Sequence, residues 1–182
     1  IHTDRPWFAE NEPSSDTATL FVIPDHYVFR MLYSQGVPLE RLGVPRRDGG
    51  AVESDPRAIW RLFARHFVLF RGTPTRIWFE QALRDTFAIE EQLNEGSADR
   101  IYDRIAECLP KPEYRPRALF ERFGIEVIAT TDGPLDDLAH HDALRRSNWS
   151  GRVVPAYRPD TVVDPDRDRF AADVEAFVAM AG

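Results

Sequence analysis

Ile125-Glu126-Val127-Ile128-Ala129-Thr130-Thr131, closed by Asp132-Gly133-Pro134, is the stretch whose reading decides the fold. It is β-branched and almost continuously apolar, the pattern of a parallel strand buried on both faces. The turn after it leads into a helical stretch from Leu135 to about Arg146. Arg152-Val153-Val154-Pro155-Ala156-Tyr157 then reads as a second strand ending in Arg158-Pro159-Asp160. A helix from about Phe170 to Met180 follows, with Val174, Phe177 and Val178 on one face. Strand–helix–strand–helix with short links is the grammar of an α/β fold.

Upstream the period changes to that of helices. Asp55-Pro56 supplies an N-cap and a proline at the first helical position. Ile59, Phe63, Phe67 and Phe70 mark the buried stripe of the segment that follows. Gly72-Thr73-Pro74 stops it and starts another helix, whose core face is expected to hold Ile77, Trp78, Leu83 and Phe87. Ser97 opens a third, with Ile101, Ile105 and Leu109 in register, and Pro116 begins a fourth that closes at Gly124. Near the start, residues 9–18 read as a polar loop, and Asp25 caps a short helix carrying Phe29, Leu32 and Tyr33. This predicts three regions: 1–36, a helical subdomain over 37–118, and βα units over 119–182.

Composition narrows the function. The 182 residues carry a net charge of −7, and Lys111 is the single lysine among 23 basic residues. Acidic and basic side chains alternate without a basic stripe, so no nucleic-acid partner is expected. No apolar run reaches the ~18 residues of a membrane span, and Ile1-His2-Thr3-Asp4-Arg5-Pro6 lacks a signal-peptide pattern. With one cysteine, Cys108, a cytoplasmic protein is expected. A complete eight-stranded barrel needs roughly 200 residues at least, more than this chain has.

In parallel α/β folds, ligand groups sit just past the carboxyl ends of strands. Asp132 and Arg158 occupy such positions. Arg158 offers a planar fork suited to a carboxylate; the plainer reading pairs it with Asp160 or Asp132. Asp132 serves a ligand or caps the next helix. Asp25-His26-Tyr27 brings a carboxylate, an imidazole and a phenol to one helix start, where they could move protons or simply cap and pack. His140-His141 is expected near a helix end, meeting the helix dipole. His66 reads as a helix-face histidine and Cys108 as a small buried apolar group.

The strings Pro24-Asp25-His26-Tyr27-x-x-Arg30, Gly36-Val37, Gly72-Thr73-Pro74-x-x-x-Trp78, Arg115-Pro116-Arg117, Thr130-Thr131-Asp132-Gly133-Pro134, His140-His141 and Tyr157-Arg158-Pro159-Asp160 run through the chain in that order. Together they resemble the uronate isomerases (glucuronate isomerases) of the amidohydrolase superfamily. The resemblance implies an α/β fold: part of a metal-dependent (β/α)8 barrel with a mainly α-helical insertion. It also implies interconversion of D-glucuronate with D-fructuronate and of D-galacturonate with D-tagaturonate.

Carried onto this sequence, the resemblance makes His2 a metal ligand and His26 and Tyr27 catalytic. It sets Arg158 on the substrate carboxylate, with Asp132 a further substrate-binding candidate. The cofactor implied is a divalent metal, Zn²⁺ first, at a site this chain holds only in part. The partner implied is a hexuronate, and self-association into a homo-oligomer is also expected. Because family members are more than twice this length, the chain reads as an N-terminal portion, inactive alone. Two other readings fit the sequence. One is a non-catalytic helical module binding sugar acids; the other is a metal-dependent hydrolase of the same superfamily.

Overall fold

Two stretches of opposite character divide the chain. The computed structural model describes residues 6–181 and separates them into two compact units, one over Pro13–Arg115 and the other formed by residues 6–12 with 116–181. In chain order the elements are α1 (Pro6–Glu10), α2 (Thr17–Phe21), α3 (His26–Ser34), α4 (Pro56–His66), α5 (Pro74–Phe87), α6 (Ala98–Cys108), α7 (Pro116–Arg122), β1 (Val127–Asp132), α8 (Ala139–Arg146), β2 (Arg152–Tyr157), α9 (Asp160–Val163) and α10 (Phe170–Ala181).

The first unit is helical, and its starts follow local chemistry. Asp25 accepts from the main-chain N–H groups of Tyr27 and Val28, and Asp55 from that of Arg57, so α3 and α4 both begin at an aspartate cap. Gly72 takes φ +77, a left-handed turn that admits glycine without strain, and Thr73 then caps α5. The core of this unit is aromatic. The Phe63 ring lies 5.7 Å from Trp60, 5.6 Å from Phe67, 5.6 Å from Phe70 and 4.9 Å from Phe79, centroid to centroid. All five rings are buried.

Three expectations fail here. Ile77 and Trp78 are 65% and 47% exposed, and the buried face of α5 is Phe79, Leu83 and Phe87. These recur at i, i+4 and i+8, so one stripe holds them and leaves positions 77 and 78 outside it. The expected loop at 9–18 ends in a helix, α2, because the Asp16 carboxylate accepts from the Thr19 N–H and starts a turn at Thr17. It also begins inside α1, since Ala9 and Glu10 are helical.

The second unit pairs β1 with β2 in parallel, Val127 opposite Arg152 and Asp132 opposite Tyr157. Its small core joins Phe8, Phe120 and Leu144. The Trp149 ring stacks on Phe8 at 5.7 Å and meets Phe120 edge-on at 5.0 Å. Arg117 fastens α1 to α7: its guanidinium donates to the carbonyls of Phe8 at 2.8 Å and Ala9 at 3.0 Å. β1 is not buried on both faces as expected. Thr130 and Asp132 point into the unit while Ala129 and Thr131 are exposed, the alternation a pleated strand imposes.

Candidate active site

The carboxyl ends of β1 and β2 lie side by side. The main-chain N–H of Arg158, the first residue past β2, donates to the carbonyl oxygen of Asp132, the last of β1, at 2.8 Å. The Arg158 side chain is 60% exposed and its Nε donates to Asp160. Exposed pairs of this sort contribute about 0–1 kcal/mol, so an incoming carboxylate can take the guanidinium over at small cost.

Asp132 is buried and does not cap the next helix. That helix begins at Ala139, whose N–H reaches Asp137 at 2.9 Å, several residues after the sequence pattern placed its start. The later start moves His140 and His141 from a helix end into its first turn. There His141 is buried. The Thr130 hydroxyl lies 2.9 Å from His141 Nε2 and donates to Asp132 Oδ2 at 2.6 Å, and His141 Nε2 stands 3.4 Å from the same carboxylate oxygen. Sequence reading missed this link. Its available signal was period two, which puts Thr130 on the face of Asp132.

In the helical unit, His26 and Tyr27 sit together at the first turn of α3, their ring centroids 4.2 Å apart. Tyr27 is 58% exposed. It lines a shallow groove with Arg30, Met31, Ser34, Phe70 and Thr73, where phenol, guanidinium and hydroxyls border an apolar floor. Such a surface can hold a polyhydroxylated molecule and exchange protons with it. His66 lies on its helix face as expected, with Nδ1 2.8 Å from the Leu62 carbonyl oxygen, and Cys108 is buried.

His2 lies outside the described residues. Among the described residues, no three His, Cys, Asp or Glu side chains gather where a cation could sit. No helix among them is long and apolar enough to cross a membrane.

The family model described as glucuronate isomerase matches residues 1–182. The chain belongs to the glucuronate isomerase family. Among its relatives, the uronate isomerase of Mesorhizobium japonicum is 59% identical over 181 residues, a match covering 100% of this chain and 39% of that protein. That of Rhizobium meliloti is 55% identical with the same coverage. The crystal structure of glucuronate isomerase from Caulobacter crescentus superposes with a TM-score of 0.92 at 48% identity, covering 100% of this chain and 38% of that one. The uronate isomerase structure from Thermotoga maritima gives a TM-score of 0.84 at 27% identity, over 96% and 37%. This glucuronate isomerase family chain thus spans about two fifths of the length of the relatives it matches.

Proposed function

We propose that the chain is the N-terminal part of a uronate isomerase, a cytoplasmic enzyme that interconverts D-glucuronate with D-fructuronate and D-galacturonate with D-tagaturonate. The observation that carries this is the family match over residues 1–182, joined to an exposed arginine fork at the strand ends whose ion pair is with the exposed Asp160. In the longer protein, the unit that holds β1 and β2 would begin a (β/α)8 barrel, and the helical unit over Pro13–Arg115, which starts earlier than the expected residue 37 because α2 and α3 pack in it, would form the insertion.

The reaction is an internal redox shift that moves two protons and needs no outside oxidant or reductant. A base takes the proton from C2 while O1 gains one, giving the ene-diol; a proton then returns at C1 as the O2 hydroxyl loses its own, and the carbonyl passes from C1 to C2. That sequence needs a base, an acid and charge stabilisation at oxygen. His26 and Tyr27 have the groups to exchange protons with the substrate, and Arg158 would hold its carboxylate by a bidentate pair. Asp132, a further substrate-binding candidate, is buried, and its carbonyl oxygen accepts the Arg158 N–H and so supports the strand end that carries the arginine.

The family resemblance adds a divalent metal, Zn²⁺ first, with His2 as one ligand. The described residues do not make a metal site by themselves, and no proton step here runs through one. The sugar-acid-binding module and the hydrolase find no support in the family match.

The test is turnover of D-glucuronate and D-galacturonate by the protein expressed from its gene at full length, followed by proton NMR in D2O. Isomerisation with deuterium entering at C1 or C2 is expected, and none from residues 1–182 alone. A full-length protein that leaves both uronates unchanged contradicts the reading.

A further inference from the structure

A buried polar relay runs from the helix between the two strands to the arginine at their ends. His141 Nε2 lies 2.9 Å from the Thr130 hydroxyl. That hydroxyl donates to Asp132 Oδ2 at 2.6 Å, and the Asp132 carbonyl accepts the Arg158 N–H at 2.8 Å. We propose that His141 is a positioning residue for Arg158, acting through Thr130 and Asp132 to fix where the guanidinium meets the substrate carboxylate. The inference rests on the isomerase reading of Arg158 given above.

Three observations support it. First, the Thr130 hydroxyl has one proton. Given to Asp132, it leaves the oxygen to accept from His141, so the imidazole must carry its proton on Nε2 to complete the relay. Second, packing alone does not account for an imidazole here. His141 is 4% exposed, and its Nδ1 has no hydrogen-bond partner among the described residues. A leucine of similar size would fill the space without burying an unpaired nitrogen. The polar group is used for the bond on its other side.

Third, Arg158 is placed by its backbone. Its side chain is 60% exposed and its ion pair is with the exposed Asp160, so packing does not set its position. The main-chain bond to Asp132 does, and Asp132 is in turn held through Thr130. Thr130 lies opposite Pro155 in the strand pair, two residues before Asp132, so the side-chain relay acts at the same end of the ladder as the Arg158 bond. Displacing a binding group by about 1 Å can cost on the order of a hundredfold in rate.

The experiment uses the full-length protein and its KM and kcat for D-glucuronate. His141→Leu should raise KM about tenfold, in the range seen when a supporting partner is lost, with kcat within about twofold. His141→Gln, whose amide can donate near the Nε2 position, should restore most of the lost affinity. In an Arg158→Met background, His141→Leu should add no further rise, because the two act as one unit.

A purely structural role would lower the active fraction, and with it apparent kcat, at constant KM. That result overturns the proposal. So does a KM effect that adds in full on Arg158→Met. Should His141→Leu fail to fold, Thr130→Val and Thr130→Ser carry the same test: the valine raises KM and the serine restores it, and equal KM values for both overturn the proposal. A wild-type protein that turns over neither uronate removes the isomerase reading and this inference together. Turnover with KM unmoved by His141→Leu removes the inference alone.

Discussion

The indole N–H of Trp60 donates to the carbonyl oxygen of Ala98 at 2.8 Å, and both residues are buried. This bond ties α4 to the first turn of α6 within the aromatic core. Trp60→Phe keeps most of the apolar volume and removes the bond, so it is expected to cost about 1–3 kcal/mol. Trp60→Ala also opens a cavity and should cost about 3–5 kcal/mol. Urea unfolding checks both, and equal losses for the two variants would show that the bond and the ring contribute otherwise.

Adjacent residues on α5 should respond in opposite ways. Phe79 is 4% exposed and meets Phe21, Phe63 and Phe67, while Trp78 is 47% exposed. Phe79→Ala is expected to cost about 3–5 kcal/mol, and Trp78→Gln about 0.5 kcal/mol or less. Thermal or urea melts of the two variants decide this. A larger loss at position 78 would reverse the face assigned to the helix.

An ion-pair ladder along α4 and α6 should make the helical unit sensitive to acid and salt. Arg61 Nε donates to Asp99 at 2.8 Å, Arg57 reaches Asp99 and Asp103, and Arg100 pairs with Glu91. The Asp99 carboxyl is held below its ordinary range, first by its hydrogen bond to Arg61, and Glu91 likewise by Arg100. A folded value below the unfolded one means that the folded state binds fewer protons between the two. The contribution is therefore complete above about pH 4, where unfolded carboxyls ionise, and is lost as pH falls through the folded values. The urea midpoint should drop on that acid limb, and Asp99→Asn should flatten part of it. Added salt should weaken the ladder at neutral pH, because its partners are exposed. An acid limb identical in wild type and Asp99→Asn would contradict the assignment.

Much of this was legible because the signals were local or strictly periodic. Asp55-Pro56 starts α4, the stripe Ile59, Phe63, Phe67 and Phe70 is buried throughout, and 152–157 is a strand parallel to its predecessor. Five-residue helices such as α2 span too few turns to show a period, and there only the Asp16 cap could have spoken. Trp78 misled because a large apolar side chain reads as core wherever it falls, whereas the phase of Phe79, Leu83 and Phe87 settles the buried face. At the site, strand-end placement brought out Asp132 and Arg158. The His141 contact needed the true start of α8, which the Asp137 turn delays to Ala139.

The most direct test of the account is the KM of the full-length protein for D-glucuronate with Arg158 intact and with Arg158→Met. Loss of a bidentate charged pair is expected to cost about 2–3 kcal/mol. KM should therefore rise by roughly 30- to 150-fold, with a smaller change in kcat. A variant that binds D-glucuronate as tightly as the wild type would contradict the assignment of this strand-end arginine to the substrate carboxylate.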